Sequence, residues 1–242
     1  MGCGRVEHRK WAAVENGIIL SFWRNMFNAL DLAPSILISH LVVLIVAFTI
    51  HEFAHAWTAN YFGDTTPEAN GRLTLNPLAH LDPIGSLLLL VAGFGWAKPV
   101  PVNPYQLQRR SPSAMMWVSL AGPLSNLLLA IAAAIPFRLG IFSVMDAQMA
   151  LFTARDQFLP TLPQLLYIFI QINLVLLLFN LIPLAPLDGE KIAEYFLPAS
   201  WLRALDRIRP YGPVILLVIV FFGVLSYIIT PPLRLLMNLL LG

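Results

Sequence analysis

The sequence has little charge. Asp, Glu, Lys and Arg make up only 12% of its 242 residues, whereas hydrophobic residues make up 58%. A soluble domain typically carries about 25% charged residues and about 45–50% apolar ones. Both departures favour an integral membrane protein over a soluble one.

Cysteine and clustered positive charge are also scarce. The single cysteine, Cys3, excludes an intramolecular disulfide and a cysteine-based metal cluster within one chain. The formal net charge is only +2, and no run of five basic residues occurs. The sequence therefore predicts no nucleic-acid partner.

Long apolar stretches dominate the rest of the chain. A membrane-crossing helix needs about 20 largely apolar residues. The short apolar stretch at residues 84–96 is followed by prolines, which predicts a segment that enters the membrane and returns. Residues 233–241 are too short to span. We therefore predict an all-α integral membrane protein with about four transmembrane helices plus a re-entrant segment, the spans being residues 35–58, 114–137, 162–182 and 211–229.

The chain divides into a short N-terminal segment and one large domain. Residues 34–242 contain no internal repeat and no polar linker, which indicates a single transmembrane domain. In residues 1–33 the apolar run is interrupted by Arg24 and Asn25, so it does not fit a signal peptide. Apolar residues at helical spacing over 18–30 predict an amphipathic helix that lies on the membrane surface.

The first predicted span contains the sequence His51-Glu52-Phe53-Ala54-His55. On a helix, residues four apart lie on the same face, so both imidazoles can bind one Zn²⁺. The glutamate beside the first histidine is then placed to take a proton from water on the metal. Alternatively, the histidines merely anchor the helix end near the lipid headgroups. The metal site is favoured because ionisable residues inside a span are costly and usually functional.

Two histidines leave a zinc site incomplete, because catalytic zinc usually has three protein ligands. One acidic residue closely follows a later span: Asp188, in the stretch Asn180-Leu-Ile-Pro183-Leu-Ala-Pro186-Leu-Asp188-Gly189. The prolines there interrupt a helix, which is tolerated at membrane depth where protein or a water-filled cavity surrounds the backbone. Taken alone, Asp188-Gly189 is better explained as an ordinary turn at a helix end.

Together these motifs resemble the site-2 protease family of intramembrane zinc metalloproteases. The resemblance rests on His51-Glu52-x-x-His55 and on the Asn180 to Gly189 stretch, in that order. It extends to Ala-Gly-Pro-Leu-Ser-Asn at residues 121–126 and to residues 71–77 and 95–103. Many family members have proline where this chain has Ala185, which replaces no ligand. No stretch is long and polar enough for an inserted PDZ domain, so we expect a compact member.

The resemblance implies an activity and a set of site residues. His51, His55 and Asp188 would hold one Zn²⁺ per chain, Glu52 would act as general base on zinc-bound water, and Asn180 would help to bind the substrate. The substrate would be a membrane protein with a transmembrane helix, cut in or beside the bilayer. The protease would be a multi-pass protein of a prokaryotic cell membrane.

Shared zinc also restricts the topology. His51 and His55 lie near the C-terminal end of their span, and Asp188 follows the C-terminal end of its own. Those two helices must therefore run parallel, so one span and not two must separate them. This is a second reason for residues 84–96 not to cross. The distribution of Lys and Arg outside the N-terminal stretch favours a cytoplasmic active site, whereas the basic residues of that stretch favour the opposite orientation unless it folds back.

Three further possibilities remain open at this point. Short strands at residues 71–77 and 95–103 could hold an extended substrate by strand addition, or both stretches could be plain loops. The His, Glu and Asp residues could mark an ion path in a transporter or channel. The chain could also be an inactive relative that binds membrane helices without cutting them.

Overall fold

The computed structural model describes residues 33–85, 97–153 and 157–242, and the elements assigned there are helices. The N-terminal segment and its predicted surface helix lie outside these residues. In chain order the helices are α1 (Pro34–Tyr61), α2 (Thr66–Ala69), α3 (Pro77–His80), α4 (Pro104–Arg110), α5 (Ala114–Arg138), α6 (Val144–Phe152), α7 (Leu162–Asn180), α8 (Asp188–Phe196), α9 (Ala199–Ile208), a 3₁₀ turn (Arg209–Tyr211), α10 (Gly212–Phe221) and α11 (Val224–Leu241).

Local sequence explains where the long helices begin. Pro34 occupies the first turn of α1, where its missing N–H costs nothing. Thr161 and Gln164 form a capping box at the start of α7, since each side chain bonds the other's backbone N–H. The all-α fold class predicted from composition and apolar runs is confirmed.

Four helices within the described residues are long and apolar enough to cross a membrane: α1, α5, α7 and α11. Large apolar side chains on the outside of the bundle, such as Leu128 on α5 and Leu235 on α11, are exposed. A water-exposed surface would not usually present so many, whereas lipid is a suitable neighbour for them. The predicted number of spans is therefore confirmed.

Helix α5 lies at the centre of the bundle and packs against both α1 and α7. Small residues such as Ala130 and Ala134 on α5 face Ile170 and Leu174 on α7 in the main apolar core, to which α6 and α11 also contribute. Small side chains allow helices in a membrane to approach closely. Helix α5 thereby becomes the platform against which the other long helices are placed.

The predicted fourth span, residues 211–229, is wrong in its position. Helix α10 ends at Phe221, and Gly223 adopts a left-handed conformation (φ +70°) before α11 begins. Helix α11 then continues through Pro231 and Pro232 to Leu241, so residues 233–241 are part of the spanning helix. The sequence stays apolar on both sides of Gly223, so hydropathy alone does not reveal that the helix is broken there.

The segment that connects α3 to α4 is described only at its two ends. Leu81 and Ala97 form an isolated antiparallel β-bridge, and the Lys98 N–H donates to the His80 carbonyl oxygen at 2.7 Å. The path of the predicted re-entrant segment lies mostly in residues 86–96, outside the described part, so the re-entrant path stays a prediction.

The short strands considered at residues 71–77 and 95–103 do not form in the described parts of those stretches. Residues 71–76 are turns and loop, α3 begins at Pro77, and residues 97–103 contribute one bridging residue followed by loop. The prolines at 99 and 101 cannot donate to a strand ladder, which limits pairing in this stretch.

Thiol labelling can test the path of residues 84–96. In a Cys3→Ser background, Glu68→Cys and Gln108→Cys place single exposed thiols before and after the segment, and Asp146→Cys places one beyond α5. We expect a membrane-impermeant reagent to label the first two from one side of the membrane, because a re-entrant segment returns to the side it left. The Asp146→Cys control should label from the opposite side. Labelling of the first two variants from opposite sides would mean that the segment spans.

Candidate metal centre

The centre of the site is a pair of imidazoles on α1. His51 and His55 lie one helical turn apart, both buried, and their Nε2 atoms are 3.0 Å apart. This spacing follows from helix geometry, because side chains at i and i+4 point to the same face. The two nitrogens therefore converge on one point inside the bundle.

Asp188 completes the cluster from a different part of the chain. It is the first residue of α8, which packs against α5. Its Oδ2 atom lies 3.2 Å from His51 Nε2 and 3.3 Å from His55 Nε2. These ligand-type atoms therefore bring the C-terminal half of α1 and the start of α8, which follows α7, to one place, as sharing a metal ion would require.

The three atoms fit a zinc ion. Zinc holds its ligands tetrahedrally at about 2.0–2.1 Å, which places neighbouring ligand atoms about 3.3 Å apart. The observed separations of 3.0, 3.2 and 3.3 Å match that value. Within the described residues, the buried Asp188 Oδ2 atom has no hydrogen-bond partner, as expected of an atom reserved for a metal. His51, His55 and Asp188 are thus a group that could bind one metal ion.

Electrostatics favour the ligand form of Asp188. Burial raises the pKa of its carboxyl group, but the neighbouring His55 and His51 outweigh burial and hold that pKa well below its usual range. The carboxylate is therefore ionised, which is the form that binds metals, and a bound metal ion would take the place of the proton that it shares with the imidazoles.

The orientation of His55 is set by α5. Its Nδ1 atom lies 2.7 Å from the carbonyl oxygen of Val118. A carbonyl can only accept, so Nδ1 carries the proton and donates it, which leaves the lone pair on Nε2 free to bind a metal. Metal-binding histidines are typically held by a second hydrogen bond of this kind.

Gly122 on α5 makes room for both imidazoles. A Cβ atom at this position would lie 2.6 Å from His51 Nε2 and closer still to His55 Nε2. Any larger residue would enter the space between the ligand atoms. The glycine of the Ala-Gly-Pro stretch is therefore required by the close approach of α5 to the metal centre.

Glu52 lies beside the cluster but outside it. It is buried, and its Oε2 atom accepts a hydrogen bond from the backbone N–H of Val100 at 3.2 Å. The adjacent residues Pro99 and Pro101 have no N–H to offer. Within the described residues, Glu52 therefore bonds the loop at residues 97–103 and is not part of the His51, His55 and Asp188 cluster.

Buried polar residues hold that loop in place. The guanidinium of Arg72 donates to the carbonyl oxygens of Ala79 (2.5 Å) and Lys98 (3.1 Å). Asp64, fully buried after α1, accepts from the backbone N–H of Asn103 at 2.6 Å. These contacts hold the segments around residues 72 and 98 together, and both segments belong to the stretches that carry the family resemblance. Together they support the loop that Glu52 contacts.

The remaining candidate residue, Asn180, lies outside the His51, His55 and Asp188 cluster. Asn180 is half-buried at the end of α7, where its Nδ2 atom donates to the Leu176 carbonyl oxygen, so its role in substrate binding stays a prediction. The contacts made by the backbone groups of Val118 and Val100 could not be predicted from the sequence, because every such residue carries the same backbone groups. The space at Gly122 could be predicted only indirectly, from the presence of a glycine.

Comparisons with known proteins agree with this class of site. No family model and no solved structure matches the chain. The Bacillus subtilis (strain 168) protein named "Putative zinc metalloprotease YwhC" is 43% identical over 211 residues, or 87% of this chain and 91% of that protein. The Mycolicibacterium smegmatis protein named "Putative zinc metalloprotease Rip2" is 33% identical over 186 residues (75% and 66%), and its namesake in Mycobacterium tuberculosis H37Rv is 32% identical over 195 residues (76% and 70%).

A His-His-Asp cluster among helices able to cross a membrane, together with these relatives, defines a membrane zinc metalloprotease. The chain belongs to the site-2 protease family.

Metal analysis tests the ligand set. We expect about one zinc per purified chain, and His51→Ala or Asp188→Ala should weaken zinc binding by more than the roughly 10–100-fold typical of changes outside the ligand shell. His40→Ala is the matched control, because His40 lies on α1 and bonds the Ile36 carbonyl oxygen away from the cluster. Full zinc occupancy in Asp188→Ala would remove Asp188 from the ligand set.

The space at Gly122 gives a second prediction. Alanine is the better helix former by about 1 kcal/mol, so Gly122→Ala would stabilise an unconstrained helix. We expect the opposite here, with reduced zinc content and a lower Tm, because the added methyl group displaces the imidazoles. Leu128→Ala on the exposed face of α5 controls for helix perturbation. Unchanged zinc content in Gly122→Ala would show that α5 does not approach the ligands so closely.

Proposed function

We propose that this protein is an intramembrane zinc metalloendopeptidase that cuts membrane proteins within or beside the bilayer. The observation that carries this proposal is the meeting of His51, His55 and Asp188 at one point on helices able to cross a membrane. A buried, charged cluster is costly in such a position unless it serves a function. The names of the relatives support hydrolysis of peptide bonds as that function.

His51 Nε2, His55 Nε2 and Asp188 Oδ2 would hold one Zn²⁺, with the imidazole of His55 kept in position by Val118. When bound, zinc acts as a Lewis acid that acidifies water and polarises a carbonyl group. Three protein ligands leave a position open for the reacting groups.

Glu52 would perform the proton transfers. Its carboxylate is adjacent to the ligands in sequence and does not belong to the ligand cluster. One of its oxygens would accept a proton from the attacking water and return it to the amine of the leaving group. Burial of Glu52 excludes bulk water from competing for that proton.

The substrate would be a transmembrane helix that unwinds before cleavage, since a helical backbone hides the scissile carbonyl group. Helix-breaking residues in the substrate would lower the cost of unwinding. Asn180, half-buried at the end of α7, would help to hold the unwound segment or the developing oxyanion. The pairing of Leu81 with Ala97 supports the re-entrant path, because it holds the two ends of the intervening segment together. We place the active site on the cytoplasmic side, from the distribution of Lys and Arg, and the protein in a prokaryotic cell membrane, because the relatives are bacterial.

A substitution at Glu52 can distinguish a general base from a metal ligand. Glu52→Gln should keep its zinc and its fold but lose about 10²–10⁴-fold in cleavage rate, because an amide cannot accept the proton. The measurement is cleavage of a helical membrane substrate by purified protein, with metal content determined on the same sample. Glu68→Gln, an exposed glutamate beyond α1, is the control.

Cleavage by Glu52→Gln at the wild-type rate would remove Glu52 from the proton transfer. Zinc binding by the wild type without cleavage of any helical substrate would instead favour an inactive relative or an ion-binding membrane protein.

A further inference from the structure

A buried acidic residue lies two positions after the Asp188 ligand. The side chain of Glu190 is only 5% exposed, yet it carries a carboxylate. The guanidinium of Arg209, from the 3₁₀ turn that precedes α10, forms an ion pair and a hydrogen bond with Glu190 through its Nε atom. Burying a carboxylate without such a partner is strongly unfavourable, so this pair constrains both segments.

Arg209 also joins Glu190 to its surroundings. Its second terminal nitrogen bonds the carboxylate of Glu194, one turn further along α8, and its first lies 3.3 Å from Asp206 Oδ1. Lys191 forms ion pairs with Glu194 at 3.2 Å and, at the longer distance of 3.7 Å, with Glu190. Arg209 therefore fastens two successive turns of α8, and a planar guanidinium with several donors is suited to this.

A second contact lies on the other side of Asp188. The backbone of Gly212, at the start of α10, packs directly on Ala185: an added Cβ atom would lie 2.9 Å from the Ala185 carbonyl carbon and closer to its oxygen. The two contacted residues, Ala185 and Glu190, thus lie on either side of Asp188 in the sequence. Both come from the short stretch Arg209 to Gly212, which is far from the histidines in sequence.

We propose that Arg209 is a positioning residue for the metal centre. Through Glu190 it fixes the first turn of α8 and so keeps Asp188 Oδ2 within reach of both His Nε2 atoms, with the Gly212–Ala185 contact as the second point of attachment. This inference rests on the proposed zinc site, which it extends by a residue that touches neither the metal nor the substrate.

The test is the zinc affinity of purified full-length protein, measured by competition with a chelator. Arg209→Ala should bind zinc about 10–100-fold more weakly than the wild type, as expected when support outside the ligand shell is lost. Arg207→Ala is the matched control, because Arg207 is an exposed arginine two residues away with no ion pair among the described residues. It should bind zinc within about 2-fold of the wild type.

Two further variants separate positioning from general stability. Arg209→Lys should bind zinc more tightly than Arg209→Ala but more weakly than the wild type. Lysine keeps the positive charge, but one ammonium group cannot pair with both glutamates as the guanidinium does. If Arg209 acts through Glu190, then Glu190→Gln in the Arg209→Ala background should not lower the affinity further. The Tm of the zinc-free proteins shows whether a variant has lost affinity or only stability, and if Arg209→Ala does not fold, Arg209→Lys and Glu190→Gln carry the test.

Zinc affinity of Arg209→Ala equal to that of Arg207→Ala would overturn the inference and leave the zinc site intact. Failure of the wild type to bind zinc would instead overturn the proposed function, so the two failures are distinguishable.

Discussion

The structure depends on one electrostatic constraint: two imidazoles and a carboxylate meet inside a bundle of helices that are long and apolar enough to cross a membrane. Each group is costly to bury alone, and a cation shared among them would remove most of that cost. The cation requires their ligand atoms to lie about 3.3 Å apart. The C-terminal half of α1 and the start of α8 must therefore meet, and α5 packs against α1, α7 and α8 around that point.

The region around the cluster shows how closely the helices must approach. On helix α5, the carbonyl oxygen of Val118 orients His55. Gly122 has no side chain, and the imidazole nitrogens of His51 and His55 lie where one would be. The two positions are one helical turn apart, so the same face of α5 both supports and accommodates the site. Helix α5 packs against α7 through the main apolar core and against α1 at the site.

Much of this follows from the sequence because periodicity and charge cost are local properties. Residues four apart share a helix face, and Asp188 stood out as an acidic residue close behind a later span. The left-handed Gly223 that divides α10 from α11 could not be predicted, because glycine in an apolar run has no effect on hydropathy. Helix α11 also continues through Pro231 and Pro232, as membrane helices often do through proline.

The loops show why the remainder escaped prediction. Asp64, Arg72 and His80 are all buried, although they lie in or beside connections that would ordinarily be exposed. Their partners are backbone groups: the Asn103 N–H for Asp64, the Ala79 and Lys98 carbonyls for Arg72, and the Thr74 carbonyl, at 2.7 Å, for His80 Nε2. A connection without regular helix or strand must satisfy its backbone polar groups by such side chains. The identity of the polar residue can be read from the sequence, but its backbone partner depends on the fold. For that reason the support of Glu52 through residues 97–103 becomes visible only in three dimensions.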